Sequence, residues 1–214
     1  FAFAQVGTNC GLAGQNACVE VDGAAYWMSE NGFFRYAGKL ESLPCLVEDH
    51  VYDNINLESG NQMVSAGLNN LFGEVMWFYP TTGSSVVNRM VAYNYFDSSP
   101  QRPVWTVGTL ARTMWEDSAI FGKPHALEYD AATDTSFDVV GNTEGRTTYY
   151  EHETGTDQVK GGAVTAITAN IVSGDFDISQ RRSITGQTTG TADLRGDGEF
   201  IMKIRRFIPD FISQ

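Results

Sequence analysis

The side chains that could perform acid–base or metal chemistry are spread thinly along the sequence. The three histidines, His50, His125 and His152, are far apart and show neither HxxxH nor HExxH spacing, which helical zinc sites require. No G-x-S-x-G motif marks a nucleophilic serine. We therefore expect each histidine to lie on the surface or in a loop, and we predict that the chain is not an enzyme and has no catalytic residue.

The carboxylates are too numerous to identify a site. The chain has 26 Asp and Glu residues, so an acid pair suited to glycoside hydrolysis can be assembled almost anywhere. Residues 53–56 and 193–199 faintly resemble calcium loops but lack the D-x-[DN]-x-[DN]-G spacing. Asp175, Asp177 and Asp197 are expected to be solvated turn residues. We predict no bound metal and no cofactor, and we name no ligand-binding residue.

The cysteines do not form a complete set of pairs. Cys10, Cys18 and Cys45 are odd in number, which excludes a full disulfide framework. Cys10 and Cys18 lie in a Gly/Asn-rich stretch and could pair across a loop or hairpin in an oxidising compartment. Free, buried thiols are the interpretation we favour. With no CxxC motif and no Cys/His cluster, the sequence does not indicate zinc.

The net charge argues against one class of function. Fourteen Lys and Arg stand against 26 Asp and Glu, giving a formal charge of −12, whereas a reader of duplex DNA needs a basic face. An acidic surface suits a protein that must not adhere to nearby nucleic acid, although ordinary solubility explains it equally well. The local basic concentration is Arg181, Arg182, Arg205 and Arg206. We expect these arginines to be solvated or to pair with carboxylates of a neighbouring subunit, with DNA in a channel as the alternative.

The hydropathy and the two ends of the sequence bear on whether the chain spans a membrane and whether it belongs to a longer protein. No stretch approaches the roughly 20 consecutive apolar residues of a membrane span, so we predict none. The chain begins with Phe1 and ends at Gln214, just after an apolar run. We expect it to be part of a longer protein.

The elements that would position any site are short strands. Twenty-two glycines and short apolar runs separated by Gly, Asn, Asp, Ser and Thr are typical of an all-β sandwich, barrel or propeller. Asn31-Gly32, between the aromatic runs 24–28 and 33–36, predicts a β-hairpin. Residues 47–55 carry valine and isoleucine at helical spacing and predict a short helix, with a strand as the alternative.

Residues 63–115 have the content of one four-stranded propeller blade. The strand candidates are 63–68, 71–79, 88–95 and a fourth beginning at 104–108, which 111–115 would complete. Weaker strand candidates follow at 126–129, 147–151 and 164–170.

Two further features bear on the proposed blades. Trp77, Trp105 and Trp115 are expected to fill the space between sheets, with stacking on sugars as the alternative. The polar residues 179–196 predict a long loop or extended hairpin inserted into one β-rich region spanning 1–214.

Several stretches resemble a known family. They are residues 32–36 (GFFRY), 43–45 (LPC), 47–49 (VED), 53–56 (DNIN), 74–80 (EVMWFYP), 88–95 (NRMVAYNY), 104–108 (VWTVG), 111–115 (ARTMW), 173–178 (SGDFDI) and 206–211 (RFIPDF). Together they are similar to virion proteins of tailed bacteriophages, the tail or packaged-DNA stabilisation proteins. The resemblance spans most of the chain, with gaps at 130–170 and 179–196.

The resemblance implies an all-β, propeller-like fold of four-stranded antiparallel blades with at most one or two short helices. It further implies a structural role in the tail hub or nozzle. There, like subunits, commonly six, form a ring around the DNA channel, contact portal or adaptor proteins and help to retain or deliver packaged DNA. The polar stretch 179–196 departs from the family, and the strands expected after 206–211 are missing, which puts ring closure by this chain alone in doubt.

We therefore expect a virion protein of the phage tail that lies near DNA without reading its sequence. The alternative hypothesis is an extracellular β-propeller that binds or hydrolyses carbohydrate, which loop tryptophans, tyrosines and paired carboxylates would support. A third possibility, an intracellular kelch or WD-type interaction propeller, is disfavoured because the regular Gly-His and Trp-Asp repeats are absent.

Overall fold

A computed structural model describes residues 5–56, 63–130, 146–160 and 162–167. The chain divides into two compact units, Phe1–Thr165 and Ala166–Gln214, and nearly all the described residues belong to the first. The predicted insertion at 179–196 and the arginine and aspartate candidates beyond residue 167 lie outside the described residues.

The described residues confirm the all-β prediction, because they form antiparallel sheets and one short helix. The first sheet contains β1 (Cys18–Val21), β2 (Ala24–Ser29), β3 (Gly32–Tyr36) and β4 (Leu40–Leu43) in sequential order. After helix α1 (Glu48–Tyr52), the second sheet contains β5 (Ser65–Asn69), β6 (Glu74–Tyr79), β7 (Arg89–Asn94) and β8 (Trp105–Gly108), again in sequential order. The third sheet contains β9 (Met114–Glu116), β10 (His125–Asp130) and β11 (Arg146–Glu151), and β12 (Asp157–Lys160) pairs with β13 (Ala163–Ala166).

The second sheet lies between the other two, which explains its sequence. Side chains alternate across a strand, and on β6 Val75, Trp77 and Tyr79 join the core shared with the first sheet. Met76 and Phe78 face the opposite way, into the core shared with the third sheet. A strand buried on both faces must be apolar at every position, and β6 is therefore a continuous apolar run after Glu74.

Tryptophan indoles join neighbouring sheets, as the sequence predicts. The Trp77 indole N–H donates to the Ala17 carbonyl oxygen at 3.0 Å, just before β1. Trp105 on β8 donates to the Pro44 carbonyl oxygen at 2.8 Å, and Trp115 on β9 donates to the Leu68 carbonyl oxygen at 2.9 Å. Trp77 and Trp115 thus bury their rings between sheets, Trp105 is partly buried there, and each indole satisfies its single donor. Phe33 completes the packing between the first and second sheets, with its ring centroid 4.9 Å from that of Trp77.

The predicted hairpin and helix are confirmed, with shifted details. Ser29 pairs with Gly32, so the turn residues are Glu30 and Asn31 rather than Asn31 and Gly32. Helix α1 falls within the predicted range 47–55.

Two strand predictions need correction. Residues 71–73 lie in the turn before β6 rather than in a strand. Its last residue, Gly73, has a φ of +66°, a backbone conformation that interrupts an extended chain. Residues 111–115 do not complete β8, because Met114 and Trp115 pair with β10 of the third sheet.

Candidate functional site

The three histidines occupy different environments: His50 is on the surface and His152 is in a loop, as predicted, and His125 is half-exposed on a strand. His50 is exposed on α1, whereas His125 lies on β10 and stacks on Tyr149 with their ring centroids 5.3 Å apart. His152 follows β11 and is half-buried, with its ring centroid 4.5 Å from that of Trp115. The fold makes His125 and His152 near neighbours, because β11 ends beside the start of β10.

A buried ion network surrounds His152, and we call it the Arg112 network. The Arg112 side chain is almost fully buried and its Nη1 donates to Glu128 Oε2 at 2.7 Å. Lys160 Nζ bridges Glu128 Oε1 at 3.1 Å and Asp130 Oδ1 at 2.6 Å. Arg112 Nε also donates to His152 Nε2 at 2.9 Å. These contacts hold β12 and the segment before β9 against β10.

The network sets the protonation of its members. Burial, followed by the nearby Arg112 and His125, lowers the pKa of His152 to about 4, so its ring is neutral near neutral pH. Burial also lowers the pKa of Arg112, opposed by Glu128. Although burial works against it, hydrogen bonds to Asp130 and Glu128 raise the pKa of Lys160. Both lysine and arginine are therefore charged and stay tied to their carboxylates.

These contacts give the Arg112 network a structural rather than a catalytic character. A general base needs a free lone pair within reach of a substrate proton. His152 Nε2 already accepts from Arg112, and the guanidinium stacks on the Tyr150 ring at 4.0 Å. Breaking such a buried pair leaves an uncompensated charge, which costs roughly 3–5 kcal/mol. The network therefore fixes the third sheet.

A second polar cluster lies between the second and third sheets. Asn69 is buried, and its Nδ2 donates to Glu153 Oε1 at 3.1 Å, while no described residue donates to its Oδ1. Glu74 pairs with Asn69 across the β5–β6 hairpin. Burial and then the charge of Glu153 raise the pKa of Glu74. Glu153 itself has a φ of +55°, which is uncommon for a residue with a side chain.

Where the structure describes them, side chains of the stretches that resemble calcium loops form hydrogen bonds within the protein. Asn54 Nδ2 donates to the His50 carbonyl oxygen and Asn56 Nδ2 donates to the Ser84 carbonyl oxygen. These side chains therefore present donors rather than oxygen ligands at those contacts. Residues 193–199 lie outside the described ranges. Within those ranges, no group of three or more His, Cys, Asp and Glu residues is placed to hold a metal ion.

The cysteines are free thiols, and the prediction that they are buried is wrong for Cys18, which is exposed. Cys10 and Cys45 are half-buried. Burial raises the pKa of Cys45 to about 11 and also raises that of Cys18. The thiolate is the reactive form of cysteine, so neither side chain is an activated nucleophile near neutral pH.

One end of the sheets exposes large apolar side chains, and we call it the loop face. It is formed by the turns Asp22–Gly23, Asn70–Gly73, Tyr95–Val104 and Asp117–Pro124, which join consecutive strands of the three sheets. Leu71, Phe72, Phe96, Ile120 and Phe121 are between 48% and 91% exposed there. Sequence reasoning missed this face because residues 71–73 were assigned to a strand.

Comparisons with known proteins give no family from which a function could be carried over to this chain. Neither the family models nor the curated proteins include a match to this sequence. Across the described residues, no helix is long and apolar enough to cross a lipid bilayer.

Proposed function

We propose that this chain is a structural module of a phage tail hub or nozzle, forming part of an oligomeric ring around the DNA channel. The observation that carries the proposal is the succession of two four-stranded antiparallel sheets, each in sequential strand order, packed face to face through an aromatic core. A propeller repeats such four-stranded sheets around an axis. A third sheet packs on the far face of the second, as the next blade would.

The placement of the family-like stretches also supports the proposal. Residues 74–80 and 88–95 fall on β6 and β7, the strands buried on both faces, and 104–108 falls on β8. Three of the stretches that resemble phage tail proteins thus contain three of the four strands of the second sheet. Residues 32–36 form β3, whose Phe33 packs against Trp77 and Trp105 of that sheet.

The mechanism proposed is assembly rather than chemistry. The charges of the Arg112 network are internal and paired, while carboxylates on the exterior are available to neighbouring subunits. An acidic lining would let DNA pass without adhering. Like subunits, portal or adaptor proteins are the proposed partners, and the tail of the virion is the proposed location.

The carbohydrate hypothesis has less support. Sugar stacking needs exposed aromatic faces, whereas Trp77 is fully buried and Trp115 is nearly so. The Trp105 ring lies 4.7 Å from the Phe33 ring and 5.0 Å from the Tyr93 ring, measured between centroids. Trp77 and Trp115 therefore offer no open stacking platform, and Trp105 is only partly exposed.

Particle analysis tests the proposal. The full-length parent protein is examined by light scattering and electron microscopy, and purified tailed particles are examined by mass spectrometry. We expect a ring-shaped oligomer and co-purification with tails. A monomer that is absent from tails would contradict the proposal, and degradation of a polysaccharide or a positive glycan array would favour the rival hypothesis.

A further inference from the structure

Three of the four turns of the loop face are bound to one another, so their exposed side chains lie side by side. The Asn70 backbone N–H donates to Asp117 Oδ2 at 2.6 Å, which ties the β5–β6 turn to the β9–β10 turn. Asn94 Nδ2 donates to the Phe72 carbonyl oxygen at 3.1 Å. The Tyr95 N–H donates to the Gly73 carbonyl oxygen at 2.8 Å. The β5–β6 turn therefore lies between the other two.

The centre of this surface is apolar and built on a defined scaffold. The Phe96 ring lies directly over Gly73, in space that any Cβ at that position would occupy. It also packs edge-on to Tyr95, with ring centroids 4.8 Å apart. Phe121 packs against His125 at 4.8 Å, and Ile120 is 91% exposed. Exposed apolar side chains that cluster in this way are a recognised mark of an interaction site.

The rim of the surface is acidic. Five carboxylates at this end of the sheets have no ion pair within the described parts of the chain, namely those of Asp22, Asp97, Glu116, Asp117 and Glu153. Among the described residues, the basic side chains at the same end are Lys39, Arg102 and Lys123, and Lys123 Nζ lies 3.4 Å from Glu151 Oε1. Carboxylates therefore outnumber available cations around the apolar centre.

We infer that the loop face docks a partner protein whose contact surface has an apolar centre and a rim of lysine and arginine. The inference rests on the proposed role as an assembly module, and it names the face and the chemistry of the neighbour. Complementary charges favour this pairing, because they speed association and exclude wrong partners.

Two other occupants fit the charges less well. A second copy docking through the same face would place one acidic rim against another, and such like-charge contacts oppose association. An anionic bilayer attracts basic segments rather than acidic ones. The carboxylates of Asp97 and Asp117, beside the apolar turns, would therefore be repelled.

Synthetic peptides of defined chemistry test the inference on the full chain. The first is an amphipathic peptide with one leucine face and one lysine face. The second keeps the leucines and carries glutamate instead of lysine, and the third keeps the lysines and carries serine instead of leucine. We expect only the first to bind, as measured by fluorescence anisotropy, and its binding to weaken as salt is added.

Variants locate the binding. The triple variant F96S/I120S/F121S is expected to bind the first peptide at least about tenfold more weakly. The single variant Ile120→Ser is expected to weaken binding several-fold. Because the Ile120 side chain is so exposed, misfolding would not explain such a loss of binding. Leu12→Ser is the matched control, because Leu12 is 48% exposed and the adjacent Ala13 N–H donates to the Met28 carbonyl oxygen, at the end of β2 opposite the Asp22–Gly23 turn of the loop face. It is expected to bind as the unaltered chain does.

Four outcomes would overturn the inference. They are equal binding by the triple variant, equal binding of the serine peptide, self-association that the triple variant abolishes, and binding to phosphatidylcholine or phosphatidylglycerol vesicles. A chain that binds the first peptide through this face but is absent from virions would refute the tail assignment alone. A tail ring whose loop face does not discriminate among the peptides would refute the docking inference alone.

Discussion

His152 should make the protein lose stability in acid, and replacing it by glutamine should remove that loss. The imidazole is neutral in the folded state because burial and the Arg112 guanidinium oppose its protonation. In His152→Gln, the side-chain oxygen of glutamine can still accept a hydrogen bond from Arg112 Nε. The variant therefore keeps the contact and removes the titration.

The sign and size follow from the displaced pKa of His152. Between pH 6.5 and about 4 the unfolded state binds a proton that the folded state does not, so the free energy of unfolding falls as the pH falls through this window. Above the window the contribution is fully present. One pKa unit corresponds to about 1.36 kcal/mol, which sets a ceiling of about 3 kcal/mol, and partial exposure of the ring reduces the expected loss to about 2 kcal/mol.

Urea denaturation of the unaltered chain and of His152→Gln, from about pH 7 to about pH 4, measures the effect. Carboxylates titrate in both proteins, so the difference between the two curves isolates His152. We expect the two curves to lie close together near pH 7 and to separate as the pH falls, with the unaltered chain less stable than His152→Gln by about 2 kcal/mol near pH 4. Parallel curves, or a His152 imidazole that titrates near its ordinary pKa by NMR, would refute the reasoning.

Three substitutions test the packing. Gly67→Ala would place a Cβ 2.7 Å from the Trp115 Cβ, so we expect the free energy of unfolding, measured by urea denaturation, to fall by about 1–3 kcal/mol. In the control Gly108→Ala the new Cβ meets its nearest side-chain atom at 3.6 Å, and we expect a smaller loss. Phe33→Ala removes a ring that is only 1% exposed, and we expect the free energy of unfolding to fall by about 3–5 kcal/mol in urea denaturation. A loss below about 1 kcal/mol would contradict this packing. Arg112→Ala leaves the buried Glu128 with Lys160 as its one described cationic partner and should cost up to about 3–5 kcal/mol by urea denaturation. A loss below about 1 kcal/mol would argue against a stabilising ion pair.

The sequence was a good guide where the signal was local. Apolar alternation and turn residues predicted the strands of the second sheet, and valine spacing predicted α1. One strong local signal was nevertheless overlooked, since Asp22 and Gly23 both have positive φ values and form the two-residue turn between β1 and β2. An Asp-Gly pair between strands favours this turn for the same reason as Asn-Gly.

The polar clusters could not be predicted from the chain alone. Arg112, Glu128, His152 and Lys160 are separated by up to 48 residues along the chain, and their contacts depend on the pairing of β9, β10 and β11 and on the position of β12. No local pattern distinguishes a buried arginine from a solvated one, because burial is decided by which strands cover it. The weakly basic character of His152 has the same origin.

The sequence by itself determined an all-β chain with short strands, tight turns, one short helix and tryptophans suited to sheet interfaces. These features follow from the periodicity and turn chemistry of neighbouring residues. Only the tertiary structure decided that the second sheet is covered on both faces, that Arg112 joins His152 to Glu128, and that Phe72, Phe96 and Ile120 share one exposed face. Those relations join residues distant in sequence, and they exist only after strand pairing and sheet packing have brought the segments together.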